Sequence, residues 1–275
     1  MTVLIIGGSG FLGTELLRQA RAAGRSTAAT FNSRPSETSG TLWHHLDLHA
    51  PGRLEEVLDV VQPSVVINAS SRNSDWAVTA EGPGHLARST ARRGIRFVHV
   101  SSDAVFSGSR GSAYVEASLP DPVTPYGAAK GAAETAVRLL HPGAVVARTS
   151  LIIGDGGSSH ERLVHELATG TGTGALFTDD VRCPVHVADL AAALLELTAS
   201  DTAGTLHLAG CEPLSRYELG VLIARRDGLD PSLLPAGRRA DTRLPGALDV
   251  RLDIGATQQR LTTRLRGARE FLGRS

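Results

Sequence analysis

Two side chains four residues apart, Tyr126 and Lys130, are well placed in this sequence for shared chemistry. Lys130 is the only lysine among 28 basic residues, and the other 27 are arginines. On a helix, residues four apart share a face, so the phenol and the ammonium would point into the same cleft. A lysine is a compact point charge that can contact a phenol and a ribose together, whereas arginine is a planar fork. Because Tyr-x-x-x-Lys also arises often by chance, other motifs of the chain are needed to show whether the pair is functional.

The first residues of the chain are suited to binding a dinucleotide. A short apolar run, Val3 to Ile6, leads into Gly7-Gly8-Ser9-Gly10-Phe11-Leu12-Gly13, which opens the first helical pattern. The glycines allow a tight turn and let backbone N–H groups at the helix N-terminus approach a pyrophosphate, whose charge the helix dipole favours. The motif is weak alone and strong between a strand and a helix. We therefore expect a dinucleotide to contact five residues of this loop: Gly7, Gly10, Phe11, Leu12 and Gly13.

The residues after the second predicted strand bear on the choice between NADH and NADPH. A carboxylate there would bind the ribose of NAD and repel a 2′-phosphate, which an arginine would accept. The strand ends in Asn32-Ser33-Arg34, with no acid and with an arginine in place. This favours NADPH, with NADH as the alternative, because Arg34 could equally be a solvated loop residue. Asp47 and Leu48, after the third strand, fit an adenine contact, although Asp47 could equally be a turn or cap residue.

Short apolar runs alternate with helical patterns through the first half of the chain. The runs are too uninterrupted for half-exposed antiparallel strands, so they predict an α/β fold, a doubly wound parallel Rossmann sheet with helices on both faces. We assign residues 1–150 to an NAD(P)-binding domain, its sheet completed by parts of 185–210, and 151–275 mainly to a smaller C-terminal substrate-binding lobe. The predicted strands are 3–6, 26–31, 65–68, 97–100, 144–147 and 205–209, and the predicted helices are 12–23, 53–61, 85–93, 126–140, 187–198 and 216–226.

Composition argues against several classes of function. The 275 residues are 41% hydrophobic and carry a formal net charge of zero. A neutral chain lacks the basic field that nucleic acids and membrane surfaces attract, and its apolar runs are far shorter than a membrane span. Two cysteines, Cys183 and Cys211, make neither a disulfide framework nor a metal cluster. We therefore expect a cytoplasmic monomer or homodimer that acts on a small molecule, without nucleic-acid or membrane partners.

The order of these motifs resembles that of the extended short-chain dehydrogenases/reductases, and within them the dTDP-4-dehydrorhamnose reductase branch. The likeness runs nearly end to end. A hydroxyl at the end of the fifth strand precedes Tyr-x-x-x-Lys on the next long helix, an order that is hard to produce by accident together with the glycine loop. Besides that loop, the likeness is carried by Val65 to Ala69, Ser101 to Gly108, Pro125 to Lys130, Arg148 to Ser150, Cys183 to Leu190, Gly204 to Gly210 and Ser215 to Glu218.

The resemblance implies an enzyme that reduces a nucleotide-linked 4-keto-6-deoxysugar, or a similar small ketone, with NADPH. Matched by position, it implies that Ser102 polarises the carbonyl, that Tyr126 donates the proton, and that Lys130 positions the ribose and lowers the pKa of the phenol. The chemistry agrees, because a phenol of pKa about 10 is a poor acid or base at neutral pH. Further cofactor contacts are expected at Asn68, Ala69, Ser70, Ser101 and Arg148, and substrate contacts at Ser70, Asp103, Ala104 and Leu151.

Departures from that branch leave the substrate open. The branch usually has two aromatic residues around its sugar, and this chain has Ala104 and Leu151 at those positions, which widens the site. A reductase of a non-nucleotide metabolite in a tailoring pathway is therefore an alternative. A non-catalytic dinucleotide-binding regulatory module is another, although the presence of Ser102, Tyr126 and Lys130 together argues against it. A sugar-nucleotide epimerase or dehydratase is a third, although a dehydratase needs an Asp-Glu pair where this chain has Asp103-Ala104. Some members hold a metal through acids that map on Glu15 and Asp179-Asp180, but we expect no metal here, since a hydroxyl and a phenol suffice.

Overall fold

The chain divides into two compact units, each assembled from three segments. A computed structural model describes residues 2–36, 40–243 and 245–273. The segments of the first unit are Met1–Ser102, Pro125–Arg148 and Ala191–Leu206. Those of the second unit are Asp103–Thr124, Thr149–Leu190 and His207–Ser275.

Strands and helices alternate along the first half of the chain, and shorter elements follow. The strands are β1 (Thr2–Ile6), β2 (Ser26–Phe31), β3 (Leu42–His45), β4 (Val65–Asn68), β5 (Arg96–Ser102), β6 (Val145–Thr149), β7 (Ile152–Ile153), β8 (Leu176–Phe177), β9 (Val181–Arg182), β10 (Val185–His186), β11 (Gly204–His207), β12 (Leu214–Ser215) and β13 (Ala236–Gly237). The α-helices are α1 (Phe11–Ala22), α2 (Pro51–Val61), α3 (Gly82–Arg92), α4 (Pro125–Leu140), α5 (Ser159–Ala168), α6 (Val187–Leu197), α7 (Arg216–Arg226), α8 (Gly255–Gln258) and α9 (Ala268–Leu272).

A seven-stranded sheet runs through the first unit in the order β11-β6-β5-β4-β1-β2-β3. Strands β3, β2, β1, β4 and β5 pair in parallel, with Val3 beside Thr27 on one side and Val65 on the other. The strand order reverses direction between β1 and β4, and ligands of such sheets bind at the carboxyl ends of the strands at this point. The predicted doubly wound α/β fold is therefore confirmed.

Apolar residues at the spacing of strands and helices build the core of this sheet. Leu4 and Ile6 lie in one buried cluster because alternate strand residues share a face. Helix α2 adds Leu54, Val57 and Leu58 to the same cluster, at the spacing of one helix face. This packing fixes the carboxyl ends of the strands, where predicted site residues such as Asn68 and Ser102 lie.

Two capped helices organise the second unit. Helix α5 starts at Ser158, whose hydroxyl accepts the Glu161 N–H while the Glu161 carboxylate accepts the Ser158 N–H. Helix α7 starts with the same reciprocal arrangement between Ser215 and Glu218. This reciprocal arrangement is a capping box, and it satisfies backbone N–H groups at the helix N-terminus that have no partner within the helix. The apolar faces of both helices pack in a second buried cluster with residues such as Val164, Leu167, Leu176, Leu219 and Ile223.

The predicted strands and helices all have observed counterparts, with ends that differ by a few residues. Helix α5 was absent from the sequence prediction because it is short and lies between two glycine-rich segments. The pair Ser158 and Glu161 was the available signal for its start. None of the helices in the described ranges is long and apolar enough to cross a membrane.

Candidate active site

The glycine loop between β1 and α1 has little space for side chains. Gly7 has a φ of +79°, a left-handed conformation that favours glycine. A Cβ at Gly13 would lie 2.3 Å from the carbonyl oxygen of Gly7. Helix α1 begins after Gly10 without a side-chain cap, and its first residues are the exposed Phe11 and the buried Leu12. The backbone N–H groups of this turn can therefore approach an anion closely.

The ends of β2 and β3 carry the residues predicted to bind the adenosine part of the cofactor. Asn32, Ser33 and Arg34 directly follow β2 and are exposed. Asp47 and Leu48 are half-buried after β3. Asp47 accepts the backbone N–H of His49 at 3.0 Å and lies 2.7 Å from the Nδ1 atom of that residue. These bonds from His49 lower the pKa of the Asp47 carboxyl, which serves as a turn residue in this structure.

The end of β4 lies against the glycine loop. A Cβ at Gly7 would be 3.0 Å from the backbone of Ser70, so the two segments are in van der Waals contact. The N–H and hydroxyl of Ser70 donate to the Asn68 Oδ1 atom at 3.1 and 2.6 Å. The Nδ2 atom of Asn68 lies 3.2 Å from the Nδ1 atom of the buried His99. The segment from Asn68 to Ser70 therefore lies beside Gly7 at the carboxyl edge of the sheet.

Helix α4 and strand β5 bring the three predicted catalytic residues into the first unit. Ser102 is the last residue of β5, and Tyr126 lies in the first turn of α4; both are half-buried. Lys130 is only 2% exposed, and its ammonium lies 6.0 Å from the centre of the Tyr126 ring. The Nζ atom donates to the Val100 carbonyl oxygen at 3.0 Å. Burial lowers the pKa of Lys130 to about 8, and the nearby Glu134 opposes that shift.

A buried ion pair lies one helical turn beyond Lys130. Arg148, predicted from the resemblance as a cofactor residue, is 1% exposed, and its Nε and Nη2 atoms donate to the Glu134 carboxylate. Ser101, another predicted cofactor residue, donates its hydroxyl to the Glu134 Oε1 atom at 2.6 Å. Sequence reasoning did not single out Glu134. The sequence did offer one indication that Glu134 is buried: it lies four residues after the only lysine, on the apolar face of α4.

The remaining predicted substrate residues belong to the second unit. Asp103 is buried and accepts the hydroxyl of Ser150 at 2.6 Å, with the Arg182 Nε atom 3.7 Å away. Ala104 is half-buried in the same short turn. Leu151 is 7% exposed and packs in the apolar cluster of this unit. Asp103 is therefore held by neighbours within its own unit.

A cavity of about 370 Å³ lies within the second unit, between α5, α7 and β8. Its apolar wall includes Leu163 and Leu219, and Phe177 adds an aromatic ring. Two arginines, Arg216 and Arg239, also line it. The guanidinium of Arg239 lies 4.6 Å from the centre of the Phe177 ring. The cavity combines apolar surface with two positive charges, a combination suited to an anionic ligand with a planar apolar part.

A buried carboxylate holds one of the two arginines of this cavity by hydrogen bonds, and a histidine contacts the other. Asp180 is fully buried, and its Oδ2 atom accepts from the Arg239 Nε atom at 2.8 Å. The Arg216 Nη1 atom lies 3.0 Å from the Nδ1 atom of His160. Burial and the positive charge of Arg216 lower the pKa of His160 to about 4, so the imidazole is neutral at pH 7 and accepts this bond. The residues come from separate segments, and no local sequence pattern marks them as a group.

Glu15 and Asp179, two of the acids considered for a metal, each have hydrogen-bond partners of their own. Glu15 lies on α1, where it pairs with Arg18 and accepts a bond from Gln19. Asp179 accepts the backbone N–H groups of Arg239 and Ala240 at 2.6 and 3.0 Å. Within residues 2–36, 40–243 and 245–273, no three His, Cys, Asp or Glu side chains are grouped as a metal site would require.

Comparison with known proteins assigns the chain to a family. Residues 1–271 match the family described as the RmlD substrate binding domain. The dTDP-4-dehydrorhamnose reductase of Mycobacterium tuberculosis is 34% identical over 83% of this chain and 76% of its own length.

Two solved structures share the fold. The crystal structure of a hypothetical dTDP-4-dehydrorhamnose reductase from Sulfolobus tokodaii has a TM-score of 0.82 and 28% sequence identity, covering 97% of each chain. A dTDP-4-dehydrorhamnose reductase from Bacillus anthracis, solved in complex with NADP, has a TM-score of 0.84 and 20% identity over 99% of this chain and 97% of its own.

Proposed function

Since the chain belongs to the RmlD substrate binding domain family, a branch of the extended short-chain dehydrogenases/reductases, we propose that it reduces the 4-keto group of a nucleotide-linked 6-deoxysugar with NADPH. The observation that best supports this proposal is the position of Lys130, the only lysine of the chain. Its ammonium is buried against the end of β5 and lies 6.0 Å from the centre of the Tyr126 ring. A buried cation beside a phenol stabilises the phenolate, which makes the phenol a usable proton donor.

The residues of the first unit fit a bound dinucleotide. The glycine loop leaves no room for a Cβ at Gly13, and its backbone N–H groups would hold the pyrophosphate. Ser70, packed against Gly7, and Asn68, which orients Ser70, would line the nicotinamide side of the cofactor. Lys130 would contact the nicotinamide ribose. Bound NADPH supplies the hydride that adds to the carbonyl carbon of the sugar.

The protein supplies the proton and stabilises the developing charge. Tyr126 donates its phenolic proton to the carbonyl oxygen as the hydride arrives at carbon, so the ketone becomes an alcohol. Ser102 donates a hydrogen bond to the same oxygen and polarises the carbonyl. The ammonium of Lys130 stabilises the phenolate left on Tyr126, which then recovers a proton from water. General acid catalysis of this kind is worth about 10² to 10⁴ in rate.

The cavity of the second unit supports a nucleotide-linked substrate. A nucleoside diphosphate offers two anionic phosphates and a planar base, and the cavity offers Arg216, Arg239 and the ring of Phe177. Asp180 accepts from the guanidinium of Arg239, so that group is oriented before a ligand arrives, and the Arg216 Nε atom lies 3.6 Å from the same carboxylate. We assign this cavity to the nucleotide part of the substrate. The name of the Mycobacterium tuberculosis relative, a dTDP-sugar reductase, supports the same class.

Removing one arginine of the cavity should weaken binding of the nucleotide part. We expect Arg239→Met to raise KM for dTDP-4-keto-6-deoxyhexoses by about tenfold or more, because a charge-assisted bond to phosphate contributes about 1.5–3 kcal/mol. The Kd for NADPH, measured by fluorescence titration, should stay within about twofold of wild type. Steady-state kinetics with dTDP-linked and UDP-linked keto sugars measure the effect.

The neighbouring residue Arg238 provides the matched control. Its side chain is 62% exposed, and it is outside the residues that line the cavity. Arg238→Met should leave KM for the keto sugar within about twofold of wild type, since exposed ion pairs contribute little. If Arg239→Met is folded and its KM is also unchanged, the nucleotide part does not bind in this cavity.

The cofactor preference should depend on Arg34. NADPH should bind wild type at least about tenfold more tightly than NADH, because the exposed guanidinium after β2 can pair with the 2′-phosphate. Arg34→Ala should remove most of this preference, and Arg34→Lys should retain part of it through its charge. Dissociation constants of both cofactors for the three proteins test this, and equal affinities in wild type would contradict the assignment of NADPH.

A further inference from the structure

We propose that Glu134 is a positioning residue for the reduction, one that balances the charge of Lys130 and holds Ser101 beside the catalytic Ser102. The inference rests on the function proposed above, because it assigns Lys130 and Ser102 the roles given there. Glu134 itself touches neither substrate nor cofactor in this account. It acts through residues that do.

The carboxylate of Glu134 is fully buried and held in a single orientation. Its Oε1 atom accepts from the Ser101 hydroxyl at 2.6 Å and from the Arg148 Nε atom at 2.9 Å. Its Oε2 atom accepts from the Arg148 Nη2 atom at 2.8 Å. A buried carboxylate costs much free energy unless it is paired in this way. Glu134 is therefore held in one place inside the first unit as the acidic half of a buried ion pair.

The position of Glu134 links it to the catalytic residues along two elements. On α4, Tyr126, Lys130 and Glu134 follow one another at intervals of four residues and so share a helix face. On β5, Ser101 is the residue before Ser102 and is tied to Glu134 by its hydroxyl. The same carboxylate thus fixes the end of the strand that presents Ser102 and lies one turn beyond Lys130.

Within the described residues, Glu134 is the anion shown to act on Lys130. Tyr126 on α4 and His99 on β5 also lie close enough to interact with the ammonium, and Arg148 on β6 pairs with Glu134. Burial and the charge of Lys130 lower the pKa of His99 well below its usual value, so that imidazole is neutral. Burial also lowers the pKa of Lys130 to about 8, and Glu134 opposes this shift. Among the described residues, Glu134 is the anion that keeps the ammonium charged near neutral pH.

Because Lys130 is the only lysine, its titration can be observed directly. Protein labelled with [ε-13C]lysine gives one lysine resonance from the chain, whose chemical shift reports the ammonium as pH changes. Glu134→Gln removes the charge but keeps an acceptor oxygen for Ser101. We expect it to lower the pKa of Lys130 by about 1 or more, because an opposite charge nearby stabilises the ammonium. We also expect kcat at pH 8 to fall about fivefold or more, because about half of the wild-type lysine is charged at that pH and only about a tenth would be after the shift, while KM for the keto sugar stays within about twofold of wild type.

Three further variants separate the two roles and control for folding. Ser101→Ala keeps the ion pair, so it should lower kcat and leave the pKa of Lys130 unchanged. The double variant Glu134→Gln/Arg148→Met removes both charges of the buried pair, so it avoids an unpaired arginine if the single variant does not fold. Arg138→Gln changes one exposed charge a turn further along α4 and should alter neither quantity.

The titration of Lys130 needs no substrate. The role of Glu134 and the proposed reduction are therefore tested by separate measurements. Lack of reduction by wild type would contradict the proposed function and leave the titration of Lys130 readable. An unchanged pKa of Lys130 in folded Glu134→Gln, and in the double variant, would overturn the balancing role. A wild-type kcat in folded Ser101→Ala would overturn the role of holding the end of β5.

Discussion

Tyr126→Phe is expected to lower the rate of keto-sugar reduction by a factor of about 10² to 10⁴, since it removes the proton donor and keeps the ring. The half-buried ring lies beside Lys130 at the start of α4, and the substitution removes only the hydroxyl group. The effect should appear in single-turnover oxidation of NADPH, which reports the chemical step. The Kd for NADPH should change by no more than about twofold.

The melting temperature of Tyr126→Phe controls for damage to the fold. We expect it to lie close to that of wild type, because the ring still packs against the same neighbours. A folded variant that oxidises NADPH at the wild-type single-turnover rate would show that the proton comes from another group. In that case the pairing of Tyr126 with Lys130 would have no catalytic consequence.

Lys130→Arg should reduce the single-turnover rate by about tenfold or more, which corresponds to about 1.4 kcal/mol of transition-state stabilisation. The ammonium is 2% exposed and donates to the Val100 carbonyl oxygen at 3.0 Å. A guanidinium keeps the positive charge but is broader and planar, so it cannot occupy the same point beside the phenol. Lys130→Met keeps the unbranched shape, removes the charge, and should cause a larger loss of rate.

The comparison of rate and melting temperature distinguishes a catalytic lysine from a structural one. Lys130→Met should retain a melting temperature near that of wild type, because it replaces a buried cation with an apolar chain of similar length. A wild-type rate in Lys130→Arg would make the single lysine an accident of composition. A large fall in melting temperature for both variants, with normal single-turnover chemistry in the folded fraction, would make it structural.

The sequence predicted the sheet and its glycine loop because both depend on local patterns. Apolar runs such as Val3 to Ile6 and Val65 to Asn68 are buried on both faces of a parallel sheet, so their composition identifies them. The turn at Gly7 requires a positive φ, and glycine marks that position in the sequence. The pair Tyr126 and Lys130 was visible from the spacing of a helix and from the rarity of lysine.

Glu134 and the cavity of the second unit were not predictable in the same way. A glutamate on a helix is usually exposed to solvent. The burial of Glu134 depends on its ion pair with Arg148, which is seen only in the folded chain. In the cavity, His160, Arg216 and Arg239 come from segments separated by long stretches of sequence, and Asp180 connects two of them. Long-range electrostatic pairing leaves no periodic pattern, so these contacts emerge only from the folded chain.

The most direct test of the account is single-turnover oxidation of NADPH by the wild-type protein with dTDP-4-dehydrorhamnose, UDP-linked 4-keto-6-deoxysugars and the corresponding free keto sugars. We predict that a nucleotide-linked keto sugar is reduced to the 4-hydroxy product with one NADPH consumed for each ketone, and that the free sugars react far more slowly. Tyr126→Phe in the same experiment should show almost no reaction. Tight binding of NADPH without oxidation in the presence of every nucleotide-linked keto sugar would contradict the proposed function.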